Sequence, residues 1–221
     1  MLFGSIGYLN LLPFQLFLKR HISNNAAAMT LHNKRAVPSA INRAFKHRSI
    51  HAAFISSIES YGCKCTNLGI IAHKKVYSVL LLEGKNQIDP ASATSNQLAK
   101  VLKLQGQVLI GDVALKHYLD GGEGLDLAKA WYDKTGLPFV FARLCYNKHA
   151  HTVQKLARTF AHTKTKIPQY VLKREAKKRG ITPKELAWYL EHISYKIDWK
   201  SKKSLKLFLK RSSMETKHTN I

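Results

Sequence analysis

The chain begins with a strand, turn and helix pattern that restricts its fold more than any later stretch. Residues 2–14 read LFGSIGYLNLLPF, an apolar run that ends in Tyr8 to Asn10 and is followed by Pro13 at the start of helical spacing. Proline suits a first helical turn because its missing N–H has no partner there. In an open α/β sheet, ligands bind beyond the carboxyl ends of the strands. Tyr8 and Asn10 are therefore predicted to face a ligand crevice, although an ordinary βα turn gives the same pattern.

Apolar runs of strand length then alternate with amphipathic helical segments. Further strands are predicted at residues 26–31, 50–55, 76–82, 108–110 and 139–144, with a loop at 34–38. The polar stretch 86–93 is predicted to be a crossing between two lobes. The expected fold is α/β and two-lobed, with lobe 1 formed by residues 1–83 plus 145–221 and lobe 2 by residues 84–144. Residues 149–221 are predicted to form three or four basic amphipathic helices.

Several predicted helices begin with residues that can cap a helix or hold an anion. Ser56 and Ser57 are followed by Glu59, which is a capping pattern. Free N–H groups at such a helix start form a seat for a carboxylate, and simple capping is an equally good explanation. Asp112 is either a helix cap or a group directed into the crevice. The candidate anion-binding residues at helix starts are Ser39, Ser56, Ser57, Thr94 and Ser95.

The charge balance is strongly basic, with 36 Lys and Arg against 13 Asp and Glu and a net charge of +23. Such a balance is typical of nucleic-acid-binding proteins. From residue 164 onward, however, the basic residues alternate with apolar ones at helical spacing, which is typical of a solvated helix face. Zinc-finger spacing, a Gly-x-x-Gly clamp and a row of stacking aromatics are all missing from the sequence. We therefore expect no specific nucleic-acid partner. A cytosol that favours basic proteins and a substrate with several negative charges explain the charge equally well, and in either case the positive field speeds capture of an anion.

The cysteines and the apolar runs indicate the compartment. Cys63, Cys65 and Cys145 are expected to be buried or incidental thiols, because three cysteines form no disulfide framework and one CxC pair supplies too few ligands for a metal. The longest clean apolar run, residues 76–82, is too short to cross a bilayer. The amino terminus lacks the basic region and cleavage site of a signal peptide. A cytoplasmic location without a membrane partner is predicted.

Motifs over residues 1–145 resemble, in order, those of the MqnA/MqnD family of the futalosine pathway of menaquinone biosynthesis. They are Gly7-Tyr8-Leu9-Asn10 with Pro13, Pro38-Ser39, Ser56-Ser57-Ile58-Glu59, Thr94-Ser95, Gly111-Asp112 with Ala114-Leu115, and Trp131 followed by residues 135–142. The resemblance implies the two-lobed fold of type II periplasmic binding proteins. Tyr8 to Asn10 and residues 139–142 are more similar to the chorismate dehydratases than to the sister enzymes, which act on cyclic dehypoxanthinyl futalosine.

The resemblance implies that chorismate, which carries two carboxylates, loses water to give 3-[(1-carboxyvinyl)oxy]benzoate. A proton leaves C3 and hydroxide leaves C4. The matched motifs contain no histidine, so the hypothesis is that the enolpyruvyl carboxylate is the base and Asn10 holds the side chain or the developing charge. Asp112 is the second catalytic candidate. Tyr8, Ser39, Ser56, Ser57, Thr94 and Ser95 are the predicted substrate-binding residues.

We expect the reaction to need no metal and no cofactor. Monomer and homodimer stay open. One alternative from a different class is a protein that binds a small anion without transforming it, and another is a nucleic-acid binder that uses the C-terminal basic helices. Turnover of chorismate would separate the first alternative from an enzyme. A steep fall of DNA affinity with salt, without sequence preference, would reduce the second to nonspecific charge.

Overall fold

The strands form two sheets in a computed structural model that describes residues 1–22 and 33–218. The first sheet has the order β2-β1-β3-β8-β4-β9 and the second has the order β6-β5-β7. The strands are β1 (Phe3–Ile6), β2 (Asn33–Ala36), β3 (Ala52–Ser56), β4 (Cys65–Ala72), β5 (Val79–Leu82), β6 (Gln107–Ile110), β7 (Leu125–Asp126), β8 (Phe139–Tyr146) and β9 (Ile193–Lys196). Each sheet therefore joins parts of the chain that are far apart in sequence.

Helices cover both sheets, and the α/β class predicted from the sequence is confirmed. They are α1 (Leu12–Ile22), α2 (Pro38–Lys46), α3 (Ala93–Leu102), α4 (Gly111–Leu119), α5 (Leu127–Thr135), α6 (Ala150–His162), α7 (Gln169–Lys177), α8 (Pro183–Glu191) and α9 (Trp199–His218). In the described part of the chain, no helix is both long and apolar enough to cross a membrane.

The first sheet brings its parallel strands to one functional edge. β1 pairs in parallel with β2 and with β3. Every side chain of β1 and β3 is buried, as expected for strands that are covered on both faces. The carboxyl ends of the three strands lead to Tyr8, to Pro38 and to Ser56, respectively. Three separate pieces of sequence thus end at the same edge.

The core of the first lobe is an aromatic cluster between this sheet and its helices. Phe14 of α1 packs edge-on against Phe54 of β3 and Phe160 of α6, with ring centroids 5.1 Å apart in both pairs. All three rings are at least 95% buried. Burial of a side chain of this size stabilises the fold by about 1.5–3 kcal/mol. The helix that follows the first turn is therefore fixed by tertiary packing.

Helix α9 buries one face and exposes lysines on the other, as the helical spacing predicts. In α9, Ser204 and Phe208 are fully buried, whereas Lys202 and Lys203 face solvent. Trp131 of α5 donates its indole N–H to Ser204 Oγ at 2.8 Å. α9 also packs against α3 and β8, so it joins the two lobes. β9, between α8 and α9, was not expected from the sequence.

The crossings between the lobes lie earlier in the chain than predicted. β5 belongs to the second sheet and β8 is an interior strand of the first. The chain therefore changes sheet between residues 73 and 78 and returns between residues 127 and 138, whereas the predicted boundaries were 83/84 and 144/145. The polar stretch 86–93 lies inside the second lobe. Its polarity reflects exposure next to α3, which sequence reasoning cannot distinguish from a crossing.

One buried carboxylate fixes the first crossing. Asp126 accepts N–H groups from Val76 (2.8 Å) and Tyr77 (2.7 Å) on one oxygen, and from Ala128 (2.9 Å) and Lys129 (3.0 Å) on the other. It thereby caps α5 and holds Tyr77 in the left-handed conformation, at φ 62°. Burial raises the pKa of Asp126, and the four N–H groups oppose that rise.

Several local predictions need correction, and one falls outside the description. The strand predicted at residues 26–31 lies outside the described residues, and part of the loop predicted at 34–38 is strand β2. Ser56 to Glu59 do not open a capped α-helix: a single 3-10 turn, Ile58–Ser60, follows, without a side-chain cap from Ser57. The hydroxyl of Ser56 accepts from Asn42 and that of Ser57 donates to Val140 O, and local spacing cannot reveal either bond.

The prediction for the cysteines is wrong for two of the three. Cys65 and Cys145 form a disulfide, whereas Cys63 is a free, partly exposed thiol. Cys65 of β4 lies directly opposite Cys145 of β8 in the antiparallel pairing, with their Cα atoms 3.9 Å apart. The two residues are 80 positions apart in sequence, so only the strand pairing brings them together.

Candidate active site

A cavity of about 60 Å³ lies between the sheets, at the carboxyl edge of β1, β2 and β3. The second lobe closes it with the start of β5, the amino-terminal end of α3 and the end of β6. Its apolar wall includes Ile6, Ile70, Val76 and Phe141. Small-molecule sites usually measure about 300–1,000 Å³, so the cavity in this structure is smaller than the sites that hold such ligands.

The first-lobe wall carries Tyr8 and Asn10 from the turn after β1. Asn10 Oδ1 is buried and, among the described residues, has no hydrogen-bond partner. A buried polar atom without a partner is costly, so this oxygen is poised to accept a hydrogen bond from a ligand. Burial, with smaller contributions from Asp89 and Asp112, raises the pKa of Tyr8 to about 12. Tyr8 therefore remains a protonated donor at neutral pH.

The second-lobe wall carries the start of α3. Ser92 is the N-cap, and its hydroxyl accepts the N–H of Ser95 at 3.1 Å and donates to the Ser95 hydroxyl at 2.7 Å. Thr94 Oγ1 accepts the N–H of Ile58, in the first lobe, at 3.2 Å. Because N–H groups in the first turn of a helix have no partner within the helix, this end of α3 favours an anion.

Two further hydroxyls in the cavity are oriented by buried neighbours. Ser56 Oγ accepts from the side-chain amide of Asn42 at 2.9 Å, and Asn42 Oδ1 accepts the N–H of Ser56 at 3.1 Å. Ser78 Oγ and the hydroxyl of Tyr189 are 2.9 Å apart. Tyr189 is fully buried, which raises the pKa of its phenol and keeps it protonated. These two serines therefore have fixed positions.

The cavity is lined by neutral groups. Among residues 1–22 and 33–218, no Lys, Arg or His lines it, and neither does any acidic side chain. The amino-terminal ends of α2, α3 and α4 reach the cavity at Pro38, at Ser92 to Ser95 and at Gly111. Helix amino termini carry partial positive charge, so their combined field favours a bound anion. No cluster of three or more metal-ligating side chains occurs in the described residues.

The family follows from comparison with known proteins. A family model described as menaquinone biosynthesis matches residues 92–213. A chorismate dehydratase from Campylobacter jejuni subsp. jejuni serotype O:23/36 (strain 81-176) is 47% identical over 216 residues, which cover 95% of this chain and 96% of that protein. The chain belongs to the menaquinone-biosynthesis family. The resemblance inferred from its motifs is confirmed, and the family match also includes most of the carboxyl-terminal helices.

Comparison with solved structures identifies the fold of this family member. Protein AF1704 from Archaeoglobus fulgidus superposes with a TM-score of 0.67 at 12% identity, with 97% of each chain covered. The periplasmic aliphatic sulphonate binding protein SsuA from Escherichia coli superposes with a TM-score of 0.60 at 14% identity, covering 100% of this chain and 88% of that one. The predicted fold, that of a periplasmic binding protein, is therefore confirmed. At such low identities the likeness concerns the fold alone.

Five of the eight predicted site residues lie together at the cavity of this menaquinone-biosynthesis protein: Tyr8, Asn10, Ser56, Thr94 and Ser95. Ser57 is fully buried and donates its hydroxyl to Val140 O at 2.6 Å, so it supports the wall from behind. Ser39 does not line the cavity, whereas its neighbour Pro38 does.

Asp112 is the third predicted residue outside the lining. Its Oδ1 accepts the N–H of Leu9 at 2.9 Å, and its Oδ2 accepts from Arg179 Nε at 2.8 Å. Both oxygens are therefore engaged at the junction of the lobes, away from the cavity surface.

Sequence reasoning missed Ser78 and Ser92, and it named Gly111 only as part of a family motif, not as a site residue. Ser78 lies within an apolar run, and Ser92 lies in the polar stretch that was interpreted as a crossing. Gly111 has φ 71°, and the ring of Tyr8 occupies the space where a Cβ atom would be, with the nearest ring carbon at 2.7 Å. A glycine between a strand and a helix was a usable signal for this close approach of the two lobes.

Proposed function

We propose that the protein is a chorismate dehydratase, a lyase that converts chorismate to 3-[(1-carboxyvinyl)oxy]benzoate and water. Membership of the menaquinone-biosynthesis family supports this proposal, as does the 47% identical relative that bears the name chorismate dehydratase. The proposal includes a cytoplasmic site of action. Disulfides are uncommon in that compartment, so the Cys65–Cys145 bond is expected to be dispensable for turnover.

The cavity suits a small ring with two carboxylates. Its apolar wall can cover the ring, and the start of α3 with the hydroxyls of Ser92, Thr94 and Ser95 can hold a carboxylate. Neutral donors avoid the cost of burying a cation in the site before the substrate arrives. The positive surface of the protein, with its net charge of +23, raises the rate at which a dianion is captured.

The unpaired Oδ1 of Asn10 is the observation that carries the chemical proposal. At neutral pH, the C4 hydroxyl is the hydrogen-bond donor that chorismate offers, because both of its acids are ionised. Asn10 Oδ1 can accept from this hydroxyl while the amide nitrogen donates to a substrate carboxylate. One side chain would thus hold the leaving group and the internal base in a single geometry.

The elimination then needs no protein base. The enolpyruvyl carboxylate takes the proton from C3, the electrons of that bond form the new ring double bond, and hydroxide leaves C4. The hydroxide takes up the same proton from the carboxylic acid, so one water is released and the carboxylate is restored. Formation of the aromatic ring drives the reaction. Tyr8, a protonated donor beside Asn10, can stabilise the carboxylate through its phenol.

The decisive experiment mixes the purified protein with chorismate and follows the loss of one water by ultraviolet absorbance and mass spectrometry. Appearance of the aromatic product supports the dehydratase. Saturable binding without turnover would instead identify a small-anion-binding protein. If cyclic dehypoxanthinyl futalosine is consumed and chorismate is not, the protein is the sister enzyme.

Asn10→Ala is expected to lower kcat by about 10²–10³-fold, the usual cost of removing one positioned polar group from a transition state. Asn67, whose side chain is exposed, supplies the matched control Asn67→Ala, which should retain full activity. Steady-state kinetics on both variants provide the measurement. Full turnover in Asn10→Ala, together with complete loss in Asp112→Asn, would reverse the two assignments.

A further inference from the structure

The turn that carries Tyr8 and Asn10 is held by distant side chains at three points of its backbone. Arg179 Nη2 donates to Gly7 O at 2.8 Å, Leu9 N–H donates to Asp112 Oδ1 at 2.9 Å, and the Tyr195 hydroxyl donates to Asn10 O at 2.6 Å. Asp112 lies in α4 of the second lobe, Arg179 follows α7, and Tyr195 belongs to β9. None of these partners is near the turn in sequence.

Two of the three partners also bind each other. Arg179 Nε donates to Asp112 Oδ2 at 2.8 Å, and Arg179 Nη1 donates to Glu175 of α7. The side chains of Asp112 and Arg179 are only 18% and 20% exposed, so water competes weakly with this pair. Burial lowers the pKa of Arg179, and its bonds to Asp112 and Glu175 raise it further than burial lowers it, so the guanidinium stays charged.

Because Asp112 lies on α4 of the second lobe, its restraint on the turn depends on the relative position of the lobes. Asp112 can reach Leu9 only when the second lobe lies against the first, and the same arrangement packs the ring of Tyr8 on Gly111. Separation of the lobes would break both contacts, and closure would form them again.

We propose that Asp112, Arg179 and Tyr195 are positioning residues, and that closure of the second lobe onto the turn after β1 aligns the Asn10 amide for catalysis. The effect on catalysis rests on the proposed function. The restraint of the turn does not, because it can be measured without substrate. An amide misplaced by about 1 Å is expected to cost roughly 10²-fold in rate.

The test uses three variants and two controls in the full chain. Arg179→Met removes the charge and its donors, Tyr195→Phe removes one hydroxyl, and Asp112→Asn removes the charge while keeping an acceptor for Leu9 N–H. Tyr146→Phe is the control for a hydroxyl, since Tyr146 bonds to Gln154 at an exposed site. Lys129→Met is the control for a cation, since Lys129 pairs with exposed Asp133.

Amide hydrogen exchange over residues 7–12 is measured first, in the absence of substrate. Exchange should be at least about tenfold faster in Arg179→Met and Tyr195→Phe and unchanged in both controls, because fewer bonds restrain the turn. With chorismate, kcat should fall about 10–100-fold while KM changes less than about threefold, since substrate contacts stay in place. Arg179→Lys replaces Arg179→Met if the methionine variant does not fold.

Exchange over residues 7–12 that matches the unmodified protein in every variant would overturn the proposal. Complete loss of turnover in Asp112→Asn, with unchanged exchange, would also overturn it and would make Asp112 a proton-transfer group. If the unmodified protein does not transform chorismate, the proposed function fails, and the exchange data still decide whether the three residues restrain the turn.

Discussion

Two concave regions in the described part of the chain differ strongly, and the larger of the two is the poorer candidate for the active site. The cavity between the sheets measures about 60 Å³ and is lined by hydroxyls, one amide and apolar side chains. The open pocket between α2 and residues 58–64 measures about 660 Å³, and exposed Lys46, Arg48 and Lys64 lie around it. Size and positive charge both favour the open pocket, whereas buried, pre-oriented polar groups favour the cavity.

The comparison indicates that the groups that attract an anion over a distance and the groups that can bind it lie in different parts of this protein. Exposed lysines act at a distance and are screened by salt, so they affect how fast an anion arrives. The hydroxyls and helix amino termini of the cavity act only on contact, in surroundings where each hydrogen bond is stronger than in water. The net charge of +23 therefore says little about where the substrate binds.

The largest effect outside Asn10 is expected from Gly111→Ala, which should lower kcat/KM by about 10–100-fold. A methyl group there would collide with the ring of Tyr8, so either Tyr8 leaves its place or the lobes stay apart. The left-handed backbone adds a strain of about 1–2 kcal/mol. Gly136→Ala is the matched control, because Gly136 has φ 67° and open space where its Cβ would lie. If kcat/KM falls equally in both variants, backbone strain explains the loss and the contact with Tyr8 does not.

A middle-sized effect is expected from Tyr8→Phe, which should raise KM about tenfold, as expected for loss of one hydrogen bond to a charged group. Because the folded pKa of Tyr8, about 12, lies above its ordinary value of 10.0, protonation of Tyr8 stabilises the fold. That contribution is complete below pH 10 and is lost as the pH rises through about 12. Denaturant unfolding on either side of pH 10 measures it.

In Tyr8→Phe, the decline of the unfolding free energy above pH 10 should be shallower than in the unmodified protein. Tyr61→Phe provides the control, since the side chain of Tyr61 is 79% exposed and should leave the pH profile as it is. A KM that Tyr8→Phe leaves unchanged would remove Tyr8 from the substrate-binding residues.

The smallest effect is expected from reversing the charges of the open pocket with Lys46→Glu, Arg48→Glu and Lys64→Glu together. We expect kcat/KM to fall no more than about threefold at physiological salt, because only the long-range field changes. Lys202→Glu, Lys203→Glu and Lys206→Glu change the net charge by the same amount on the exposed face of α9. If kcat/KM falls more than about tenfold in the first set alone, the assignment of the site to the cavity is wrong and the substrate binds in the open pocket.

Local sequence patterns located five of the seven polar side chains that line the candidate site. Tyr8 and Asn10 follow a strand and precede a helix-starting proline, and Thr94 and Ser95 lie at a helix start, so periodicity and capping rules find them. Ser78 escaped because a serine inside an apolar run has no local signature. Ser57 was expected at the site for its position after a strand, yet its hydroxyl bonds to Val140, 83 residues away.

The sequence by itself determined the alternation of strands and helices, the chemical character of the turn after β1, and the family, because these depend on neighbours within a few residues. Tertiary structure alone decided which polar groups share one cavity, which strands carry the crossings between lobes, and that Cys65 meets Cys145. It also brought Arg179 and Tyr195 to the backbone of residues 7–10. Such contacts join positions that are up to 185 residues apart, and they depend on the packing of whole elements, which no local pattern encodes.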